Sequence, residues 1–437
     1  MIASSAIDYF VAQGLGRSSD LKRRRLLLGI SLVSNLGLLF VFKYLVFAAD
    51  NIWKGLGWLG IDVAPVELNI LLPLGISFYT FQTISYTIDV YRGFIKPEKD
   101  FILYSCFVMY FPQLVAGPIL RASEIIFQLA ERPKWSFGDL VFGLKRILFG
   151  LFLKVVLADN IAPLVDSGFS FPASALGALD VWTLSFLFGF QIYFDFSAYS
   201  HIAIGTARLM GIHFPENFNY PFLSTSPREF WRRWHISLSS WIRDYLYLPL
   251  AGAKVRGYST GGLAEAVPQE KVRLRYTRAL FLTWAIMGLW HGAAWTFVFW
   301  GLWHALLIWA YRVSGPIREK LPNISRVIVG WPVTLCLAML SWIPFRAEGL
   351  GDAFAMLGRL IKLDAYFQLG LRENTYLVAA IVFLGCISAW AANTYVEPWL
   401  KGRPLVWIIA HSVIFTVVIS LVFVFLRPIQ QFIYFQF

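Results

Sequence analysis

The sequence predicts an all-α, polytopic integral membrane protein. Three observations carry that reading. The chain is 58% hydrophobic and only 15% charged, whereas a soluble domain carries about 25% charged residues. Apolar runs of about 20 residues, the length of a bilayer crossing, recur along its whole length. The apolar–polar alternation that an outer-membrane barrel needs is absent. About 9–11 crossings are expected from these runs, with re-entrant or interfacial helices besides.

Basic loops orient the segments, because Lys and Arg concentrate on the cytoplasmic side. Residues 17–25, RSSDLKRRR, read as cytoplasmic. An apolar segment at 26–48 leads out to a loop at 49–66, and a second at 67–90 returns to Arg92, Lys96 and Lys99. Segments at 139–158 and 179–200 flank a loop whose charges are Asp159, Asp166 and Asp180, so it reads as external. The basic stretch 208–278 is cytoplasmic. Segments at 279–293, 295–312, 327–345, 375–395 and 404–426 complete the chain. The alternation requires 101–118 not to cross, or 119–131 to cross back. The pair 279–312 is short for two full crossings at about 1.5 Å per residue, so its helices are expected to meet inside the membrane. Residues 1–15 look like the second half of a helix and are too short to span. One domain, 1–437, is expected, with 253–276 as its long cytosolic loop.

The net charge of +12 fits loop orientation. No basic patch belongs to a separable soluble domain, so nucleic acid is not an expected partner. Cys106, Cys336 and Cys386 lie far apart in apolar segments and read as filler rather than metal ligands or a disulfide. No metal site is expected. No signal peptide is visible. Phosphate-binding glycine loops, HExxH and GxSxG elbows are missing.

The informative residues are polar ones among apolar neighbours, because an ionisable group inside a bilayer is costly. His291 stands in TWAIMGLWHGAAWTFVFWGLWH, 13 residues past Arg278, at a depth of about 20 Å. Small residues follow it at 292–294 and let a backbone or substrate come close. A neutral imidazole there is a candidate general base. The alternative is a histidine bonded to a neighbouring helix. His304 lies 13 positions later and, on an unbroken helix, far round from His291, so packing is its expected role. His201, His213 and His411 read as structural.

Residues 229–247, EFWRRWHISLSSWIRDYLY, place Arg232, Arg233, His235, Arg243 and Asp244 among aromatics. Two readings stand. One is an interfacial helix whose arginines snorkel to headgroups. The other is a re-entrant segment that grips a phosphate-bearing cytosolic cosubstrate. In QIYFDFSAYS, Gln191, Asp195 and Tyr199 recur every four residues and share one helix face. Asp195 is expected to pair with an arginine of the 229–247 stretch, either as a structural ion pair or in a direct role.

Taken in order, LPLGISFYTFQTISYTIDVYRG (73–93), FPQLVAGPI (111–119), FDFSAYSHIAIGTARLMGI (194–212), NFNYPF (217–222), REFWRRWHISLSSWIRDYLYLPL (228–250) and GLWHGAAWTFVFWGLWHA (288–305) resemble the membrane-bound O-acyltransferase family. The nearest branch is the bacterial one that holds the alginate O-acetylation membrane subunit. The resemblance covers nearly the whole chain. It implies helices around a central tunnel, in the bacterial inner membrane. His291 matches the histidine of the WHG motif, the catalytic base. His235 matches the RRWH histidine, on the cytosolic side of the tunnel. Arg232, Arg233, Arg243, Asp244, Asp195, Tyr199 and Trp290 become candidate tunnel or donor-binding residues. The implied donor is acetyl-CoA, with no tightly bound cofactor. The implied acceptor is an extracytoplasmic polysaccharide, alginate-like or peptidoglycan, served by an SGNH-type transferase partner outside the membrane. D-alanyl transfer to teichoic acid, an acyl channel whose partner does the chemistry, and a docking scaffold are the alternatives. Relatives begin about two helices earlier, so the amino-terminal helices look truncated, and 253–276 looks longer than usual.

Overall fold

The computed structural model describes residues 1–61, 70–131, 134–253, 273–320, 322–428 and 431–433. Among them there are helices and turns but no strand. Four stretches of the described residues are long and apolar enough, by length and composition, to cross a membrane: Leu21–Trp58, Val327–Arg346, Glu373–Lys401 and Pro404–Phe425. Other long helices, such as Ile76–Arg92 and Ala178–Leu209, bury most of their length against protein neighbours instead of lipid.

Helix α1 (Ile2–Arg17) docks through a buried carboxylate. Asp8 accepts bonds from Ser31 Oγ at 2.5 Å and Asn35 Nδ2 at 2.8 Å, and Asn35 in turn accepts from Thr83. This small network ties α1 to α2 (Leu21–Leu39) and α4 (Ile76–Arg92). Helix α2 runs through a π turn, Phe40–Tyr44, into α3 (Leu45–Trp58). The expected loop at 49–66 therefore starts later. Asp50 and Lys54 do not stop a helix that has no glycine–proline break.

Helix α4 begins after Gly75, at φ 73°, and buries most of its length. The segment at 101–131 contains only α5 (Phe101–Val108) and α6 (Ala122–Ala130), of 8 and 9 residues. Each is about 12–14 Å long, too short to cross. Of the two possibilities, non-crossing is the one the structure takes.

Helix α7 (Phe137–Leu151) continues through a π turn, Phe152–Ala158, into α8 (Asp159–Phe169). The acidic residues expected in an external loop from 159 thus lie on a helix at first. The central helix α9 (Ala178–Leu209) has 32 residues and packs along α7 and α8. Two short helices follow, α10 (Pro227–Arg233) and α11 (Ile236–Ile242). A π turn, Arg243–Tyr247, extends the second.

Of the expected loop 253–276, residues 254–272 lie outside the described residues. Its last four begin α12 (Arg273–His291). Helix α13 (Trp295–Val313) returns beside it after a three-residue turn. Gly288 and Gly301 allow this hairpin. A Cβ on either would stand 2.1 Å from a carbonyl oxygen of the opposite helix, Phe297 or Trp284 respectively. The expected meeting of two short helices is therefore a tight hairpin. Helices α14 (Trp331–Leu340), α15 (Trp342–Arg346), α16 (Leu350–Arg359), α17 (Glu373–Ala391) and α18 (Pro404–Phe425) complete the chain. Their apolar side chains on α17 and α18 are largely exposed, as a lipid-facing surface requires. One large aromatic core joins α4, α9, α10, α11, α12, α13 and α15.

Candidate active site

His291 is the last residue of α12 and is buried. Its Nδ1 lies 2.7 Å from the Met287 carbonyl oxygen. A carbonyl oxygen can only accept, so Nδ1 carries the proton and Nε2 carries the lone pair. The ring is held edge-on by Trp290 at 4.9 Å, Trp300 at 4.8 Å and Phe345 at 5.6 Å. A cavity of about 140 Å³ lies against it, lined by Lys43, residues 72–78, Val115, Trp290 and His291. Three of the quoted motifs, at 73–93, 111–119 and 288–305, therefore meet at one wall.

Trp290 is placed by stacking. Phe81 lies nearly parallel between Trp290 at 5.0 Å and Trp241 at 4.0 Å, and Trp241 Nε1 donates to the Phe81 carbonyl oxygen. This column ties α12 to α4 and α11. Lys43, on the π turn after α2, reaches the end of α12. Its Nζ donates to the Trp290 carbonyl oxygen at 2.6 Å and to that of His291 at 3.1 Å. The last carbonyls of a helix lack intrahelical partners and carry its negative dipole end, so a cation belongs there. Sequence reading passed over Lys43. The signal was present: one lysine in an otherwise apolar segment.

His235 caps α11 with φ 41°, a left-handed conformation that costs a non-glycine residue about 1–3 kcal/mol. Its surroundings enforce it. Asn217 accepts from Ile236 N through its carbonyl oxygen, and from Ser237 N and Ser237 Oγ through Oδ1. Asn217 Nδ2 reaches Ser200, and Ser237 Oγ accepts from Ile119 N. The motifs at 111–119, 194–212 and 217–222 thus clamp the turn at His235. The imidazole is buried edge-on against Phe196 at 4.6 Å. The neighbouring Trp234 packs on Trp342 at 5.1 Å, and Trp342 packs on Phe345, which touches His291. Both histidines belong to one aromatic interior.

The remaining candidates separate. Arg243 and Asp244 are buried and pair with each other through Nε–Oδ1 at 2.6 Å and Nη2–Oδ2 at 3.0 Å. Arg121 adds a bond of 2.6 Å to the same carboxylate, and Arg92 bonds the Asp244 carbonyl oxygen. Tyr245 donates to Asp89 beside them. This knot braces α4, α6 and the end of α11, and Arg243 is committed to it. Arg233 pairs with Glu229 one turn away and is part-exposed. Arg232 is partly buried on α10, in a basic neighbourhood with Arg228.

Asp195 corrects the expected pairing. Its partner is Lys154, at 2.5 Å, rather than an arginine of the 229–247 stretch. Lys154 sits on the π turn after α7 and also meets Asp159 at 2.9 Å. Asp195 Oδ2 further accepts from Ile433 N. Tyr199, on the same face, packs against Phe432 at 5.2 Å. Asp195 therefore faces the carboxy-terminal segment, whereas Tyr199 also meets the main chain of Val115 and Ala116, and Val115 lines the cavity beside His291. The arginines lost because Lys154 comes from the helix that packs along α9.

His304 is a second correction. Because 292–294 turn the chain, it is not far round from His291: both rings pack on Trp300, at 4.9 and 4.8 Å. Its expected packing role holds. Trp231 Nε1 donates to Nδ1 at 3.3 Å, so Nε2–H is the donor to Ser341 Oγ at 3.0 Å, and Ser341 donates to Ala338. Both ring nitrogens are used.

Comparison with known proteins gives this arrangement a family. Residues 97–263 match the family model of the membrane-bound O-acyltransferases. The chain is 37% identical over 410 residues to the probable alginate O-acetylase AlgI of Azotobacter vinelandii, covering 92% of this chain and 77% of that one. It is 31% identical over 486 residues to the peptidoglycan O-acetyltransferase of Helicobacter pylori, covering 100% and 87%. It is 30% identical over 259 residues to the teichoic acid D-alanyltransferase of Bacillus subtilis, covering 58% and 62%. With its apolar spans and its buried histidines, the chain belongs to the membrane-bound O-acyltransferase family, as a multi-pass membrane acyltransferase.

Proposed function

We propose that the protein moves an acetyl group from cytosolic acetyl-CoA to a polysaccharide outside the bacterial inner membrane, with His291 as general base. The single observation that carries this is His291 itself, buried at the end of α12 with its Nδ1 held by the Met287 carbonyl oxygen, and lining a cavity of about 140 Å³. Ligand pockets commonly run to about 300–1,000 Å³, so this one is in keeping with a small acyl group. Relatives named for O-acetylation of alginate and of peptidoglycan support the acceptor class.

In the proposed step an acceptor hydroxyl attacks the thioester carbonyl. A C–O bond forms and the hydroxyl proton passes to His291 Nε2. The C–S bond breaks, and the same proton leaves on the sulfur. His235 stands on the donor side, in a conformation its neighbours hold fixed. The attacking hydroxyl would be that of an SGNH-type partner outside the membrane, which would pass the acetyl group on to the polysaccharide.

The test is the O-acetyl content of exopolysaccharide and peptidoglycan in a deletion strain carrying wild type or His291→Ala at matched membrane levels. Loss of about 10²–10⁴-fold in transfer is expected for a general base. Full acetylation by His291→Ala would sink the mechanism. Loss of D-alanyl esters instead of acetyl would reassign the acyl group.

A further inference from the structure

We propose that Lys43 is a second catalytic group of this site, stabilising the oxyanion that forms on the acyl carbonyl; this rests on the function proposed above. Lys43 lies in the apolar helix Leu21–Trp58, whose apolar span is mostly unburied by protein. A cation in such a span needs a strong reason. No carboxylate meets it among the described residues. Instead its ammonium spans the carbonyl oxygens of Trp290 and His291 and lines the same cavity as the His291 ring.

A lysine ammonium has three N–H donors. Two go to the end of α12, which fixes the position of the charge relative to His291. The third serves the carbonyl oxygen of the bound acyl group. As the acceptor oxygen bonds to the carbonyl carbon, the π electrons move onto that oxygen beside the ammonium. When the C–S bond breaks they return, and Lys43 keeps all its protons throughout. A donor fixed before reaction costs no reorganisation, which is why such groups are worth about 10²–10³ in kcat. The π turn at Phe40–Tyr44 fits this role, since π bulges shift a side chain off the regular helix face and gather at functional sites.

The experiment compares wild type, Lys43→Met, Lys43→Arg and His291→Ala in cells and in proteoliposomes. Polymer-bound O-acetyl is measured in cells. Thiol release from acetyl-CoA gives kcat and KM in proteoliposomes, and melting temperatures of the purified proteins are recorded. Lys43→Met is expected to melt within a few degrees of wild type, with kcat down about 100-fold and KM within about threefold. Lys43→Arg keeps a donor cation and is expected to restore at least about a tenth of the rate. A Lys43→Met protein within threefold of wild-type kcat, or one whose loss follows only its melting temperature, overturns the proposal. An active His291→Ala protein overturns the proposed function instead. Wild type that acetylates polymer in cells but releases no thiol overturns the donor, while the cellular arms still decide on Lys43.

Discussion

Two lysines stand inside this membrane protein, each on a π turn, and their neighbours make them different. Lys154 meets Asp195 at 2.5 Å and Asp159 at 2.9 Å, so its charge is neutralised by carboxylates. Lys43 meets main-chain oxygens at the end of the helix that carries His291, and lies over the Trp290 ring, 5.9 Å from its centre. The first arrangement joins α7, α8, α9 and the carboxy-terminal segment. It is a brace. The second lines a cavity, where the negative charge of the proposed reaction would gain from it. An intramembrane cation is therefore a question about its partners before it is a site.

The comparison can be broken at Lys154. Asp195→Ala should cost about 3–5 kcal/mol, because it strips one partner from a buried cation. Membrane level and melting temperature check it. The double variant Lys154→Met with Asp195→Leu should recover most of that loss, and activity per folded molecule should stay within about threefold of wild type. A double variant that folds but cannot transfer acyl groups would make this pair chemical as well.

It can be sharpened at Gly288. A Cβ there would stand 2.1 Å from the Phe297 carbonyl oxygen, so Gly288→Ala must push α13 off α12. Overpacking of this kind costs about 1–3 kcal/mol. It also shifts the carbonyls that Lys43 holds, so kcat should fall further than stability alone explains. Gly351, whose Cβ would meet nothing within 4 Å, is the control.

The smallest effect is expected at Arg233. Its pair with Glu229 is part-exposed and lies within one helix, a type worth about 0.3–0.5 kcal/mol. Arg233→Ala should change donor KM less than about twofold. A larger rise would return Arg233 to the donor site that its sequence context suggested.

Much of the candidate site was legible in the sequence for physical reasons. His291 stood out because an imidazole among tryptophans and small residues is expensive in a bilayer. His235 stood out by its charged, aromatic context, and the tertiary structure added the left-handed backbone that a linear reading could not show. The arginines were seen but not sorted. Arg243 is locked to Asp244 and Arg121, while Arg233 turns to Glu229. Lys43 and Lys154 were visible as lone charges in apolar runs, yet their meaning waited on their partners.

The sequence by itself determined the all-α membrane class, because hydropathy is a local sum that every stretch of about 20 residues reports on its own. It also marked which apolar stretches hold polar groups that must be satisfied. Only the tertiary structure decided who satisfies them. Asp195 finds Lys154 across 41 positions, and Lys43 finds the end of α12 across 247. Those pairings depend on which helices lie side by side, on a hairpin that bare glycines permit, and on the π turns that carry the two lysines. Hydropathy and helical period are blind to all three.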